Sequence, residues 1–96
     1  MSLELLLPVE EIAVAHTALQ SDLTLGRKIK IHTKKDGLPN LKNVQIAIIG
    51  ISESRGAVDN IGAGKGLEII RKYLYQMFPG NWHLNLADLG NIPQGN

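Results

Sequence analysis

The nine residues from Asn43 to Ile51, "NVQIAIIGI", constrain the fold of this chain more than any other stretch. They are nearly all apolar and carry no charge, so both faces of a strand formed here would be hydrophobic. Such a strand is typical of the interior of a parallel sheet that has helices on each side. We therefore expect an interior strand, and a position at a solvent-exposed margin of the sheet would count against this interpretation.

A helix and a second strand are predicted after this segment. Apolar residues recur at helical spacing and should face the core, with charged residues on the opposite side of the helix. The apolar set is Leu67, Ile70, Leu74 and Met77, and the charged set is Glu68, Arg71 and Lys72. Pro79 and Gly80 end the helix. The stretch "NWHLNLADLG" then alternates as a strand does, and the three elements together predict a βαβ unit with a right-handed crossover.

The first 43 residues contain a different pattern, and we divide the chain into an amino-terminal extension, 1–43, and a βαβ unit, 44–96. A helix is predicted from Pro8, with Ile12, Ala15 and Leu19 on its buried side. The stretch "GRKIKIHTK" alternates as a half-buried strand, with Lys28, Lys30 and His32 on the solvent face. The sequence therefore predicts the α/β fold class.

Composition excludes several classes of partner. The formal net charge of +1 attracts neither nucleic acid nor anionic lipid strongly, and the basic cluster from Arg27 to Lys35 is interpreted as the solvent face of a strand. No apolar run approaches the roughly 18–20 residues of a membrane span, so we expect a cytoplasmic protein without a membrane partner. The chain has no cysteine, which fits a reducing compartment. An exposed edge of the sheet would allow homo-oligomers to form.

The loop that follows Ile51 is the candidate binding segment, because ligands gather beyond the carboxyl ends of parallel strands. Its polar residues Glu53, Arg55 and Asn60 are the candidate substrate-binding residues. The glycine-rich stretch "GAGKG" does not match a phosphate loop, since Gly66 follows Lys65 where a hydroxyl residue is required. We predict no catalytic residue and no metal ligand in this chain, since its three histidines fall on three separate elements.

Two stretches resemble the start of the ureohydrolase family, which comprises arginases, agmatinases and formimidoylglutamases. The first is Gly50 to Arg71, where a strand ends in glycine, a long loop follows and a helix opens with "GLEIIR". The second is "DLGNI", Asp88 to Ile92, which is similar to the family's Asp-x-Gly-Asp-(Val/Ile). The spacing of Glu53, Arg55, Gly56 and Asn60 is most similar to the formimidoylglutamase-like branch. Leu67 replaces the usual proline, and Asn91 replaces the usual second acid.

The resemblance, which spans Val44 to Ile92, implies a three-layer α/β fold with a mostly parallel arginase-like sheet. It also implies hydrolysis of a guanidino or formimino amino-acid derivative, a small-molecule substrate, by an enzyme with two manganese ions. The family's metal-binding stretches lie downstream and do not occur in these 96 residues. The chain is therefore expected to be an amino-terminal fragment, inactive by itself. Two alternatives stay open: a stand-alone phosphate- or nucleotide-binding module that uses Gly62 to Gly66, and a non-catalytic assembly domain.

Overall fold

Three parallel strands and three helices make up the computed structural model of the chain, which describes residues 3–51, 63–80 and 84–93. The strands are β1 (Lys30–Ile31), β2 (Ile46–Gly50) and β3 (Leu86–Asn91), in the sheet order β1-β3-β2. The helices are α1 (Glu11–Ala18), α2 (Leu25–Lys28) and α3 (Ala63–Tyr75), and a short 3-10 turn covers Leu3–Leu5. The predicted α/β fold class is confirmed at this level: a small α/β domain with a parallel sheet.

The interior strand of this sheet is β3, not β2. β3 pairs with β1 on one side and with β2 on the other, and its residues from Leu86 to Gly90 are all buried. One face of the sheet is covered by a cluster that contains Leu6, Ala87 and Leu89. A second cluster, with Val9, Ala13 and Tyr75 at its centre, joins the sheet to the helices.

The interior position predicted for the Asn43–Ile51 segment is wrong for this chain. Within the described sheet β2 pairs with β3 alone, and its isoleucines remain accessible to solvent, 41% exposed at Ile46 and 39% at Ile49. Residues on both faces of the strand are exposed, among them the neighbouring Ile46 and Ala47. The apolar run correctly predicts a parallel strand, and the structure leaves that strand at the margin of the sheet.

The helices bury different faces from those predicted. In α1 the buried residues are Ala13 and Thr17, whereas Ile12 and Leu19 are exposed. Apolar residues lie all around this helix, so their spacing does not distinguish its buried side. Among the described side chains of α3, Arg71 and Tyr75 are buried, and the predicted Leu74 is half-buried against the second cluster. Ile70 is exposed, as is Met77 beyond the end of the helix.

The predicted strand from Gly26 to Lys34 is mostly not a strand. Its first residues belong to the single helical turn α2, and only Lys30–Ile31 pair with β3. His32, predicted on the solvent face, is buried, and its Nδ1 donates a hydrogen bond to the carbonyl oxygen of Leu89 at 2.8 Å.

The residues before α1 extend the sheet beside the end of β3. Leu7 and Asn91 form an antiparallel bridge with two backbone hydrogen bonds, each 2.8 Å long. The amide of Val9 donates to the carbonyl oxygen of His32 at 2.9 Å. We call residues 6–10 the amino-terminal arm. This arm lies beside the carboxyl end of β3 and brings the side chain of Glu10 there.

The described helices include none that is both long enough and apolar enough to cross a membrane.

Candidate functional site

A cluster of charged and polar side chains lies at the carboxyl end of β3, where an open α/β sheet places its ligands. α3 contributes Arg71 and Tyr75, β3 contributes Asp88 and Asn91, and the amino-terminal arm contributes Glu10. We call these five residues the Arg71 cluster. They come from three separate parts of the chain, so the cluster forms only when the chain is folded.

The centre of the cluster is a bidentate ion pair. Arg71 donates from Nε to Asp88 Oδ2 at 2.8 Å and from Nη2 to Asp88 Oδ1 at 2.9 Å. The side chains are 4% and 0% exposed, so neither charge is solvated by bulk water. Burial alone would lower the pKa of Arg71, but the hydrogen bonds and charge of Asp88, assisted by the charge of Glu10, raise it above its ordinary value. The guanidinium is therefore a permanent cation held inside the fold.

The remaining oxygen lone pairs of Asp88 are also used. The hydroxyl of Tyr75 donates to Asp88 Oδ2, and the amide of Gly90 donates to Oδ1 at 3.1 Å. Burial raises the pKa of Tyr75, and the neighbouring charge of Asp88 raises it further. Tyr75 thus stays protonated and acts as a fixed hydrogen-bond donor.

The other side of the guanidinium faces Glu10 and Asn91. Arg71 Nη1 lies 3.1 Å from both carboxylate oxygens of Glu10, and it also donates to Asn91 Oδ1. Asn91 Nδ2 donates to Glu10 Oε1 at 2.8 Å. The Glu10 side chain is 21% exposed, so this is the side of the cluster that solvent reaches.

Two glycines lie in close contact with the cluster and the amino-terminal arm. Gly90 has a φ of +95°, and a Cβ there would overlap the carbonyl oxygen of Leu7 in the amino-terminal arm. At the end of β2, a Cβ on Gly50 would overlap Asn91 Oδ1 and lie 3.0 Å from Arg71 Nη2. Gly90 leaves room for the backbone of the amino-terminal arm, and Gly50 leaves room for the side chains of Asn91 and Arg71. Each of the two stretches that resemble the ureohydrolases contains one of these glycines.

The predicted substrate-binding residues Glu53, Arg55 and Asn60 lie outside the described residues, so their role stays a prediction. They belong to the segment that follows β2, whose last residue, Gly50, contacts the Arg71 cluster. Gly62, the first residue of the alternative phosphate site, also lies outside. α3 already begins at Ala63, so the helix includes Gly64 and Gly66, three residues before the predicted opening at Gly66.

Sequence reasoning missed the Arg71 cluster. The helical spacing predicts Arg71 on the solvent side of its helix, and that prediction is wrong. The signal was present in Asp88, a carboxylate within a strand that the structure buries completely, because a buried carboxylate requires a cation or several donors. Arg71, on the helix that precedes β3, is the basic residue that faces Asp88.

Metal binding is not supported by the described residues. Within residues 3–51, 63–80 and 84–93, no three His, Asp or Glu side chains lie close enough together to hold a metal ion. Asp88 and Glu10 both accept hydrogen bonds from Arg71, and a cation between them would be repelled by the guanidinium.

The fold and the cluster define a small α/β protein with a parallel sheet and a buried ion pair at the carboxyl edge. Comparison of the chain with protein-family models, with curated proteins and with solved structures finds no match.

Proposed function

We propose that this chain is the amino-terminal α/β segment of a manganese-dependent ureohydrolase, from the formimidoylglutamase-like branch of that family. It supplies the first parallel strands of a three-layer arginase-like sheet and a substrate-side loop with Glu53, Arg55 and Asn60. The substrate is a guanidino or formimino derivative of an amino acid. The protein is cytoplasmic, and the 96 residues are inactive by themselves.

The observation that carries this proposal is the contact between its two motifs. The helix-opening stretch ends in Arg71, and the strand-end stretch begins with Asp88. These two residues form the bidentate pair at the centre of the cluster. The two stretches that resemble the family therefore meet at one point of the fold, which supports the proposal.

The edge position of β2 removes one argument for the proposal, since an interior strand was expected there. The support that remains is the Arg71–Asp88 pair, the two glycines that pack against the cluster, and the order of the motifs along the chain. Because the described residues do not fit a metal ion, the proposal assigns no metal ligand and no catalytic step to them.

The coding region beyond the codon for Asn96 tests the proposal. We expect the reading frame to continue and to encode the family's Gly-Gly-Asp-His, Asp-Ala-His-x-Asp and Ser-x-Asp-x-Asp stretches, which supply hard oxygen and imidazole ligands for manganese. A frame that stops there, or that continues without these stretches, would overturn it.

A second candidate function, an assembly domain, is favoured by the exposure of β2. Its apolar side chains are accessible, and within the described sheet its outer edge has no strand partner. An edge of this kind is a template for pairing with another chain, and a lysine placed on it blocks pairing. The edge of a sheet that lacks its further strands would be exposed in the same way.

Sedimentation of wild-type chain and two variants tests the assembly function. If the chain is an assembly domain, the wild-type chain is a dimer and Ile49→Lys converts it to a monomer. The control Leu19→Lys, which changes an exposed apolar residue after α1, leaves the dimer intact. A monomeric wild-type chain would contradict it.

A further inference from the structure

We infer that Arg71 Nη1 and Asn91 Nδ2 form a binding site for a small carboxylate, which Glu10 occupies within the folded chain. This site lies at the carboxyl edge of the sheet, beside the end of β2. It goes beyond the proposed function, because it is argued from the described side chains and not from the proposed reaction.

The two donors converge on one acceptor group. Arg71 Nη1 is 3.1 Å from each oxygen of the Glu10 carboxylate, and Asn91 Nδ2 is 2.8 Å from Oε1. Arg71 is 4% exposed, and its other nitrogens are held by Asp88 and by the carbonyl oxygen of Gly90. The guanidinium therefore cannot turn away when its partner on the Nη1 side changes.

Glu10 is a replaceable occupant. Its side chain is 21% exposed, and although it is the N-cap residue of α1 its carboxylate makes no capping hydrogen bond. The amino-terminal arm is held separately, by the burial of Leu6 and Val9 and by the backbone bonds of Leu7 and Val9. The Glu10 side chain can consequently leave the site while the arm stays in place.

The charges favour a monoanion as the ligand. Asp88 neutralises Arg71, and Glu10 brings the net charge of the cluster to about −1. A ligand carboxylate in place of Glu10 restores the same charge and the same hydrogen bonds, whereas a dianion such as phosphate would add repulsion from Asp88. The ligand class is a small carboxylate, or the carboxylate end of an amino-acid derivative.

Chemical rescue with formate tests this site. In Glu10→Ala the donors lose their acceptor and space opens for a small anion. We expect 100 mM formate to raise the folding equilibrium constant of Glu10→Ala about tenfold, as for a dissociation constant of about 10 mM. The wild-type chain, whose site is filled, should change less than about twofold. Urea unfolding in formate, and in chloride at equal ionic strength, measures both values.

The neighbouring variant Glu11→Ala is the matched control. Glu11 is exposed and pairs with Lys34 at 3.5 Å on the surface, so its removal should create no formate response. Adding Asn91→Leu to Glu10→Ala should abolish the response. If Glu10→Ala is unfolded in chloride, formate should restore its helical circular dichroism. The inference is overturned if formate acts no better than chloride on Glu10→Ala, or equally on Glu11→Ala.

Discussion

Arg71 and Asp88 are 17 residues apart in the chain and form a two-bond ion pair in the interior, with side chains 4% and 0% exposed. The pair joins α3 to β3 and orients the hydroxyl of Tyr75 and the side chain of Asn91. Since both charges are shielded from water, the stability of the fold depends on both partners being present.

Replacement of Arg71 by methionine should destabilise the chain strongly. Asp88 would remain buried without its cation, and breaking a buried pair from one side costs about 3–5 kcal/mol. Urea unfolding at neutral pH measures the change. Arg27→Met is the control, because Arg27 contacts the exposed Asp22 and the carbonyl oxygen of Ala18 at the surface, and its loss should cost only about 1–2 kcal/mol. Similar losses in the two variants would show that the Arg71 pair contributes little.

Stability should fall in alkaline solution because of Tyr75. The ordinary tyrosine pKa is 10.0, and burial together with the charge of Asp88 raises the pKa of Tyr75 in the folded state. Above pH 10 the unfolded chain releases the phenolic proton and the folded chain keeps it. The contribution of Tyr75 to the free energy of unfolding is therefore complete below pH 10. Above pH 10 it declines by about 1.4 kcal/mol per pH unit.

Two tyrosine variants isolate this effect. Tyr75→Phe should reduce the alkaline slope of the unfolding free energy by one proton, whereas Tyr73→Phe, which alters an exposed tyrosine, should leave this contribution in place. Slopes are compared, because Tyr75→Phe also loses its hydrogen bond to Asp88 and is less stable at every pH. Equal slopes for Tyr75→Phe and the wild-type chain would contradict the assignment.

Gly90→Ala should destabilise the chain by at least about 3 kcal/mol. The residue has a φ of +95°, and its new Cβ would overlap the carbonyl oxygen of Leu7, which is backbone and cannot rotate away. Gly37→Ala separates strain from overlap, because Gly37 has a φ of +76° but open space around it. That variant should cost about 1–2 kcal/mol. If thermal unfolding ranks Gly37→Ala as the more damaging change, the arm does not pack against Gly90.

The sequence predicts most of the helices and strands, but it does not predict which of their residues are buried. The apolar run at β2 and the alternation before β3 gave two parallel strands and their connecting helix, because local periodicity encodes element type. Burial depends instead on long-range pairing. The central position of β3 requires β1 on its other side, and only Lys30–Ile31 of the alternating stretch 26–34 pair with it.

The candidate site shows the same limit. Arg71 looked like a solvent-facing residue because charged side chains usually are. Only its distance to Asp88 reverses that interpretation, and that distance depends on how α3 packs against β3. Ile70, the next residue back along the helix, is exposed for the same reason: the helix is rotated so that Arg71 and Tyr75 face the buried carboxylate.

Under the proposed function, Arg55→Ala should raise the KM of the hydrolase about tenfold or more with little change in kcat. A planar guanidinium that pairs with a substrate carboxylate contributes about 1.5–3 kcal/mol of binding, present in ground state and transition state alike. Steady-state kinetics measure both constants, and Arg27→Ala, at an exposed arginine of α2, serves as the control. An unchanged KM would remove Arg55 from the binding site.

The proposed ureohydrolase function is tested most directly by a hydrolysis assay of the longer polypeptide that the proposal requires. The protein is supplied with Mn²⁺ and offered guanidino and formimino amino acids, and release of urea, ammonia or formamide is followed. For a manganese-dependent ureohydrolase we expect turnover that a chelator abolishes and that added Mn²⁺ restores. A folded, manganese-supplied protein that hydrolyses none of these substrates would contradict it.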